Sequence, residues 1–163
     1  MNFLEKDLES IIYESFANLK DRQQLVNRGL YHIEDAGYMA RQVRIGNYGI
    51  ADLITMRRDE SIIQIYVYEL KKNVVNIDAL IQCSRYARGI RSYLTKRFPT
   101  CKIFVDCVLI GARIDESSDW VYLFNESLKN VSVYTYKYEL NGLKFKAINM
   151  NYSLINEGFN TSN

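Results

Sequence analysis

The stretch Ile62 to Lys71, IIQIYVYELK, constrains this chain more than any other. It is apolar, rich in β-branched and aromatic residues, and preceded by the turn residues Arg58-Asp59-Glu60-Ser61. Such a run reads as a central strand covered on both faces. Yet it ends in two charges. Alternation along a strand puts Ile63, Ile65, Val67, Glu69 and Lys71 on one face, with Leu70 and Lys72 on the other. A carboxylate buried there without a partner is costly, so Glu69 calls for a cation or a neighbouring charge.

The flanking sequence supplies the rest of an α/β layer structure. Apolar residues at 4, 8, 11, 12, 16 and 19 give the helical spacing of an amphipathic helix over Phe3 to Leu19. A second helical stretch covers Arg22 to Leu30. The period then changes, and Tyr38 to Ile45 and Gly49 to Met56 read as strands around the turn Gly46-Asn47-Tyr48-Gly49. Asn76 is a good N-cap for a helix reaching about Phe98, with Lys96 and Arg97 in its last turn and Pro99 beyond. Its expected apolar stripe is Ile77, Leu80, Ile81, Ala87, Ile90 and Leu94. Lys102 to Ile114 reads as another buried strand, and Ser117 to Leu128 as a short helix at most. Val131 to Glu139 and Leu143 to Met150 flank Asn141-Gly142, a strong hairpin signal. The expectation is an α/β sandwich with a mixed central sheet flanked by helices.

Asp52 is a second carboxylate among apolar neighbours, in Gly49-Ile50-Ala51-Asp52-Leu53-Ile54. Pairing about the turn at 58–61 sets Asp52 opposite Val67, within one pleat of Glu69. Two such carboxylates suit one oxygen-loving cation such as Mg²⁺, which takes one or two carboxylates and retains waters. Lys71, on the same face, is placed to orient or help deprotonate a water. Phosphodiester hydrolysis needs an activated water, charge neutralisation at phosphorus and a positioned ammonium. The alternative is a structural Asp–Lys or Glu–Lys bridge, since E-x-K is a common tripeptide. In the following helix Gln82 and Tyr86 (QCSRY) share a face one turn apart, beside the apolar stripe. Alone they read equally as a polar contact at a helix boundary.

Taken together, D-(x)16-E-L-K followed by Q-x-x-x-Y resembles the PD-(D/E)xK nuclease superfamily, in its RecB-like branch with the QxxxY motif. The likeness is nearest to the C-terminal nuclease domain of NucS-type endonucleases. It runs through EKDLESIIYE, YGIADLITMRRD, YVYELKKNVVNIDALIQCSRYARGI and VSVYTYKYEL, about residues 4 to 148. The resemblance implies a restriction-endonuclease-like fold and a Mg²⁺- or Mn²⁺-dependent deoxyribonuclease, endonucleolytic by analogy, with DNA as partner. It implies Asp52, Glu69 and the Leu70 carbonyl as metal ligands, Lys71 as the catalytic lysine, and Gln82 and Tyr86 in support. It also implies a first-helix acid acting on the metal or its water. Glu5 holds that position in E-x-x-L-E, with Glu9 its competitor one turn later. Ala51 stands where the family often has proline, and this chain shows no counterpart of the DNA-binding domain that precedes the nuclease domain. Mismatch specificity and a sliding-clamp partner are therefore not implied. Arg41, Arg44, Arg85, Arg88 and Arg91 are candidates for phosphate contacts, or equally a solvated surface.

Charge distribution agrees with a polyanion partner. Lys20 to Lys102 holds fifteen Lys/Arg against eight Asp/Glu, a balance of +7, while the whole chain is only +2. A solvated, salt-bridged face has the same composition. The three cysteines form no C-x-x-C pair, which speaks against a disulfide framework or zinc ribbon. The single histidine, His32, removes HExxH zinc chemistry and reads as a surface or helix-end residue. No signal sequence or membrane-length apolar run is seen, so an intracellular, soluble protein without membrane contact is expected. Residues 1–150 read as one domain and 151–163 as a partly disordered tail. Tyr134, Tyr136 and Tyr138 alternate and are expected to pack one sheet face. A homodimer is admissible, because cutting both strands usually takes two active sites. The competing functional readings are a nucleic-acid-binding module with little activity and an unrelated interaction protein.

Overall fold

The apolar run forms strand β3 (Ile62–Leu70) of a six-stranded sheet and is covered on both faces, as its composition requires. The computed structural model describes residues 5–117 and 129–149. The expectations for 118–128 and for the C-terminal tail lie outside the described residues. Helix α1 (Glu5–Ala17) buries Leu8, Ile12 and Phe16, a stripe at i, i+4, i+8. Helix α2 (Leu19–Asn27) starts earlier than its periodicity suggests, because Asn18 caps it, accepting from the backbone N–H groups of Lys20 and Asp21. Strands β1 (Tyr38–Arg44) and β2 (Ile50–Arg58) precede β3. Next come the two-residue β4 (Val74–Val75) and helix α3 (Ile77–Arg97), which Asn76 caps by accepting from the Ala79 N–H. Strand β5 (Lys102–Gly111) ends before the expected Ile114, and Arg113–Ile114 form a separate β6 paired with β4. Strands β7 (Val131–Glu139) and β8 (Gly142–Asn149) complete the hairpin around Asn141-Gly142.

The sheet order is β1-β2-β3-β5-β7-β8. The central β3, β5 and β7 are parallel, and the outer pairs are antiparallel. Helix α3 is the crossover from β3 to β5 and packs on one face, over Ile63, Ile65, Val67, Val105, Cys107 and Leu109. Helices α1 and α2 cover the other, over Leu53, Tyr68, Leu70, Val108, Ile110 and Tyr134. This is the mixed, helix-flanked sheet expected of a restriction-endonuclease-like sandwich. No helix among the described residues is long and apolar enough to cross a membrane.

Two expectations are corrected here. The β2–β3 register pairs Leu53 with Tyr68 and Ile54 with Val67, so Asp52 does not sit opposite Val67. The turn is centred one residue later than expected, closed by the Asp59 N–H on the Ile62 carbonyl, and a one-residue shift of centre moves the register by two. On α3, Ile81 points outward at 51% exposure, while Cys83, Tyr86 and Gly89 are buried instead. His32 lies in a short 3₁₀ turn, Tyr31–Ile33, half-buried between Tyr134 and Ser132, and burial pushes its pKa down to about 4.

Candidate active site

Strand β3 delivers Glu69 at its C-terminal end, where the sheet is still covered. The Glu69 side chain is only 2% exposed. One oxygen, Oε1, accepts from the Lys71 ammonium at 2.7 Å. The other, Oε2, is buried with no hydrogen-bond partner among the described residues. Burial raises the Glu69 pKa; Lys71 opposes this through its hydrogen bond and charge, Asp52 and Glu5 add to it, and the carboxyl ends at about 7. Burial would lower the Lys71 pKa, but the Glu69 bond and the charges of Glu69, Glu5 and Asp52 outweigh it and raise it. Lys71 lies one residue past the strand, yet its N–H still bonds the Ile110 carbonyl, so the alternation holds and keeps its side chain on the Glu69 face.

The corrected register brings Asp52 closer to Glu69 than expected. One step beyond the Leu53–Tyr68 pair, Asp52 stands level with Glu69. It also sits at a kink. In the β1–β2 ladder the pairs Arg41–Leu53 and Val43–Ala51 are made, but Gln42 and Asp52 between them are not. Gln42 has φ of 51°, the lone positive φ among described non-glycine residues. Ala51 accordingly packs toward α3 while Leu53 packs toward α1, where plain alternation would put both on one face. The kink frees the Asp52 carboxylate from the sheet face, and its Oδ2 accepts the Leu70 N–H at 2.8 Å. In a strand the N–H and C=O of one residue point the same way. The Leu70 carbonyl therefore faces Asp52 as well. Burial raises the Asp52 pKa; the Leu70 bond and Lys71 oppose this, and Glu5 and Glu9 reinforce it.

Both first-helix acids face this cluster. Glu5 Oε2 accepts the Lys72 N–H at 3.4 Å and its charge acts on Asp52, Glu69 and Lys71. Glu9 is held by Gln42, whose Nε2 donates to Oε2 at 2.5 Å, and its charge acts on Asp52. Gln82 and Tyr86 are joined, the Gln82 amide donating to the Tyr86 hydroxyl at 2.7 Å. The Tyr86 ring lies against Gly49, at the entrance to β2, where a Cβ would stand 2.8 Å from ring carbon Cε1. Gly49 has φ of 123°, so both the backbone and the tyrosine demand glycine there.

The arginines divide. Arg41, Arg44, Arg85 and Arg88 are exposed, Arg41 stacking over the Tyr13 ring at 5.0 Å. Arg91 is exposed as well, but its guanidinium donates to the Val105 carbonyl at 2.9 Å. Val105 pairs with Ile65, four residues before Glu69 and roughly 13 Å along the strand. Gln42, and Tyr136, whose hydroxyl donates to the Lys72 carbonyl at 2.7 Å, are site neighbours that sequence reasoning did not single out. A glutamine in an exposed strand carries no spacing signal, and Tyr136 belonged to an alternating series read only as packing. Tyr134 and Tyr136 do pack the α1 face, while Tyr138 is exposed.

Among the described residues no three His, Cys, Asp or Glu side chains form a group able to hold a metal ion by themselves. The donor set on offer is two carboxylates and a backbone carbonyl, with an orphaned, buried Glu69 oxygen. That set fits a hard divalent cation that keeps part of its water shell.

Neither a protein-family model nor a curated protein matches the chain. Two solved structures are similar to it. One is a repair endonuclease from Pyrococcus abyssi, at 21% identity and TM-score 0.43, covering 68% of this chain and 43% of that one. The other is an EndoMS-dsDNA2 complex, at 19% identity and TM-score 0.40, covering 65% of this chain and 41% of that one. The chain spans less than half the length of either.

Proposed function

We propose that the chain is a divalent-metal-dependent DNA nuclease that hydrolyses phosphodiester bonds with a metal-activated water. The observation that carries this reading is Glu69: a carboxylate buried to 2% exposure, one oxygen on Lys71, the other without a partner among the described residues, beside Asp52. A fold does not bury an unsatisfied carboxylate oxygen without cost, and a Mg²⁺ or Mn²⁺ ion removes that cost. Asp52, Glu69 and the Leu70 carbonyl would hold the ion, with Glu5 or Glu9 reaching its waters. Bound there, the ion would supply a lowered water pKa and charge neutralisation at phosphorus.

The chain's own residues do the rest. Lys71 presents an ammonium anchored by Glu69, able to orient a water or neutralise a phosphate oxygen. Leu70 N–H holds Asp52 in one orientation. Gln82 fixes the Tyr86 hydroxyl, and Gly49 lets that ring lie beneath β2. Arg41, Arg44, Arg85 and Arg88 supply backbone-phosphate contacts along a DNA strand. A DNA-binding module without catalysis is the second reading, favoured because no three acidic, histidine or cysteine side chains among the described residues form a metal-holding group.

Mn²⁺ titration followed by electron paramagnetic resonance separates the two. The nuclease reading expects one Mn²⁺ per chain, with affinity lost in both Asp52→Asn and Glu69→Gln. No Mn²⁺ binding by the unaltered protein, alongside intact DNA binding, would support the second reading.

A further inference from the structure

Three hydrogen bonds converge on the two residues that follow β3. The Lys71 N–H bonds the Ile110 carbonyl at 2.8 Å, the Lys72 N–H bonds Glu5 at 3.4 Å, and the Lys72 carbonyl accepts the Tyr136 hydroxyl at 2.7 Å. Tyr136 belongs to β7, which is not a neighbour of β3; β5 lies between them. Register explains how it reaches. Leu70 pairs with Ile110 and Gly111 with Thr135, so Tyr136 and Lys72 stand level, one step above the end of β5. The ring is 6% exposed within the α1-side core, which fixes where its hydroxyl can point. Burial raises its pKa and Glu5 adds to this, so the hydroxyl keeps its proton and remains a donor.

We infer that Tyr136 is a positioning residue, clamping the Lys71–Lys72 segment so that the Lys71 ammonium stays on Glu69. The segment lies between the last ladder pair of β3 and Asn73, whose carbonyl accepts the Arg113 N–H at 2.9 Å. Tyr136 ties it to the far side of β5, and Glu5 ties it to α1. The clamp is a claim about this chain's own geometry; its effect on catalysis rests on the nuclease reading above.

The test is Tyr136→Phe, which keeps the ring and removes the hydroxyl, beside Tyr134→Phe as control. Tyr134 packs the same face but bonds His32. The first readout is the rate at which Lys71 is acylated by an amine-reactive ester, quantified by mass spectrometry against Lys20 and Lys144. Tyr136→Phe is expected to raise the Lys71 rate severalfold, with Tyr134→Phe unchanged. The second readout is DNA cleavage, where kcat should fall about tenfold with KM little altered, the size expected for one misplaced hydrogen-bonded group. An unchanged Lys71 rate in folded Tyr136→Phe overturns the clamp, whatever the activity. A raised Lys71 rate with cleavage unaffected overturns the positioning role. If the unaltered protein never cuts DNA, the nuclease reading fails, and the acylation rate still decides the clamp. Should Tyr136→Phe not fold, exchange of the Tyr136 hydroxyl proton with water, read by NMR in the unaltered chain, decides: a resolved, slowly exchanging proton supports the bond to the Lys72 carbonyl, and a proton lost in fast exchange overturns it.

Discussion

At the scale of single residues, Glu69 carries a pH signature. Its folded pKa, about 7, stands above the 4.5 of an ordinary glutamate. A raised folded pKa means that the proton is bound more tightly in the folded state. The associated stability is complete below about pH 4.5 and is lost as pH rises through about 7. Glu69 on its own should therefore lower the stability of metal-free protein between those values, by on the order of 2 kcal/mol, against an opposing rise from His32, whose pKa of about 4 lies below the ordinary 6.5. Glu69→Gln should remove that fall, leaving the His32 rise in thermal melts, and melt higher than the unaltered chain at pH 8. A slope unchanged in Glu69→Gln would assign it to another group. Lys71→Met should act in the opposite sense at neutral pH, lowering stability by roughly 1–3 kcal/mol, since it strips the partner from a buried carboxylate. The Glu69–Lys71 contact was readable from β alternation alone. The orphaned oxygen was not, because it depends on which side chains fail to arrive.

At the scale of elements, the sequence was most legible where one physical signal dominates. β3 follows from its unbroken apolar run, α3 from Asn76 and its charged last turn, and the β7–β8 hairpin from Asn141-Gly142. Less legible were features set by tertiary pairing. The β2–β3 register hinged on where a four-residue turn is centred, and the error of one residue there hid how near Asp52 lies to Glu69. The kink at Gln42 and Asp52 has no composition signal, since glutamine is not a residue that favours positive φ. Gly49 looked like an ordinary turn glycine; its further duty, leaving room for the Tyr86 ring, appears only when α3 packs. Gly49→Ala should cost about 2 kcal/mol or more in chemical denaturation, from the positive φ and the collision with Tyr86 together. Asn76→Ala should cost about 1 kcal/mol, the usual worth of an N-cap. A Gly49→Ala variant as stable as the parent would show that the Tyr86 ring is not held against β2.

At the scale of the whole molecule, β2, the end of β3 and α1 bring Asp52, Glu69, Lys71, Glu5 and Glu9 into one electrostatically coupled cluster. The sequence already pointed to Asp52, Glu69 and Lys71, and the structure surrounds them with Glu5, Glu9, Gln42 and Tyr136. The basic middle of the chain includes Arg41 and Arg44 of β1 and Arg85, Arg88 and Arg91 of α3, beside lysines and arginines of α2, β2 and the link after β3, and its exposed members should govern how DNA binding responds to salt. Arg85→Ala and Arg88→Ala should each reduce the slope of log Kd against log salt by about one, with little change in stability. Arg91→Ala should instead lower the melting temperature, because its guanidinium ties α3 to the Val105 carbonyl. The central claim, that Glu69 and Lys71 perform metal-dependent phosphodiester hydrolysis, is tested most directly by cleavage itself. Plasmid and single-stranded DNA are incubated with the unaltered protein in Mg²⁺, Mn²⁺ or EDTA, and with Glu69→Ala and Lys71→Ala in the same metals. The account expects cleavage with a divalent ion, none in EDTA, and a loss of at least about a hundredfold in both variants. Cleavage that survives both substitutions, or that proceeds undiminished in EDTA, would contradict it.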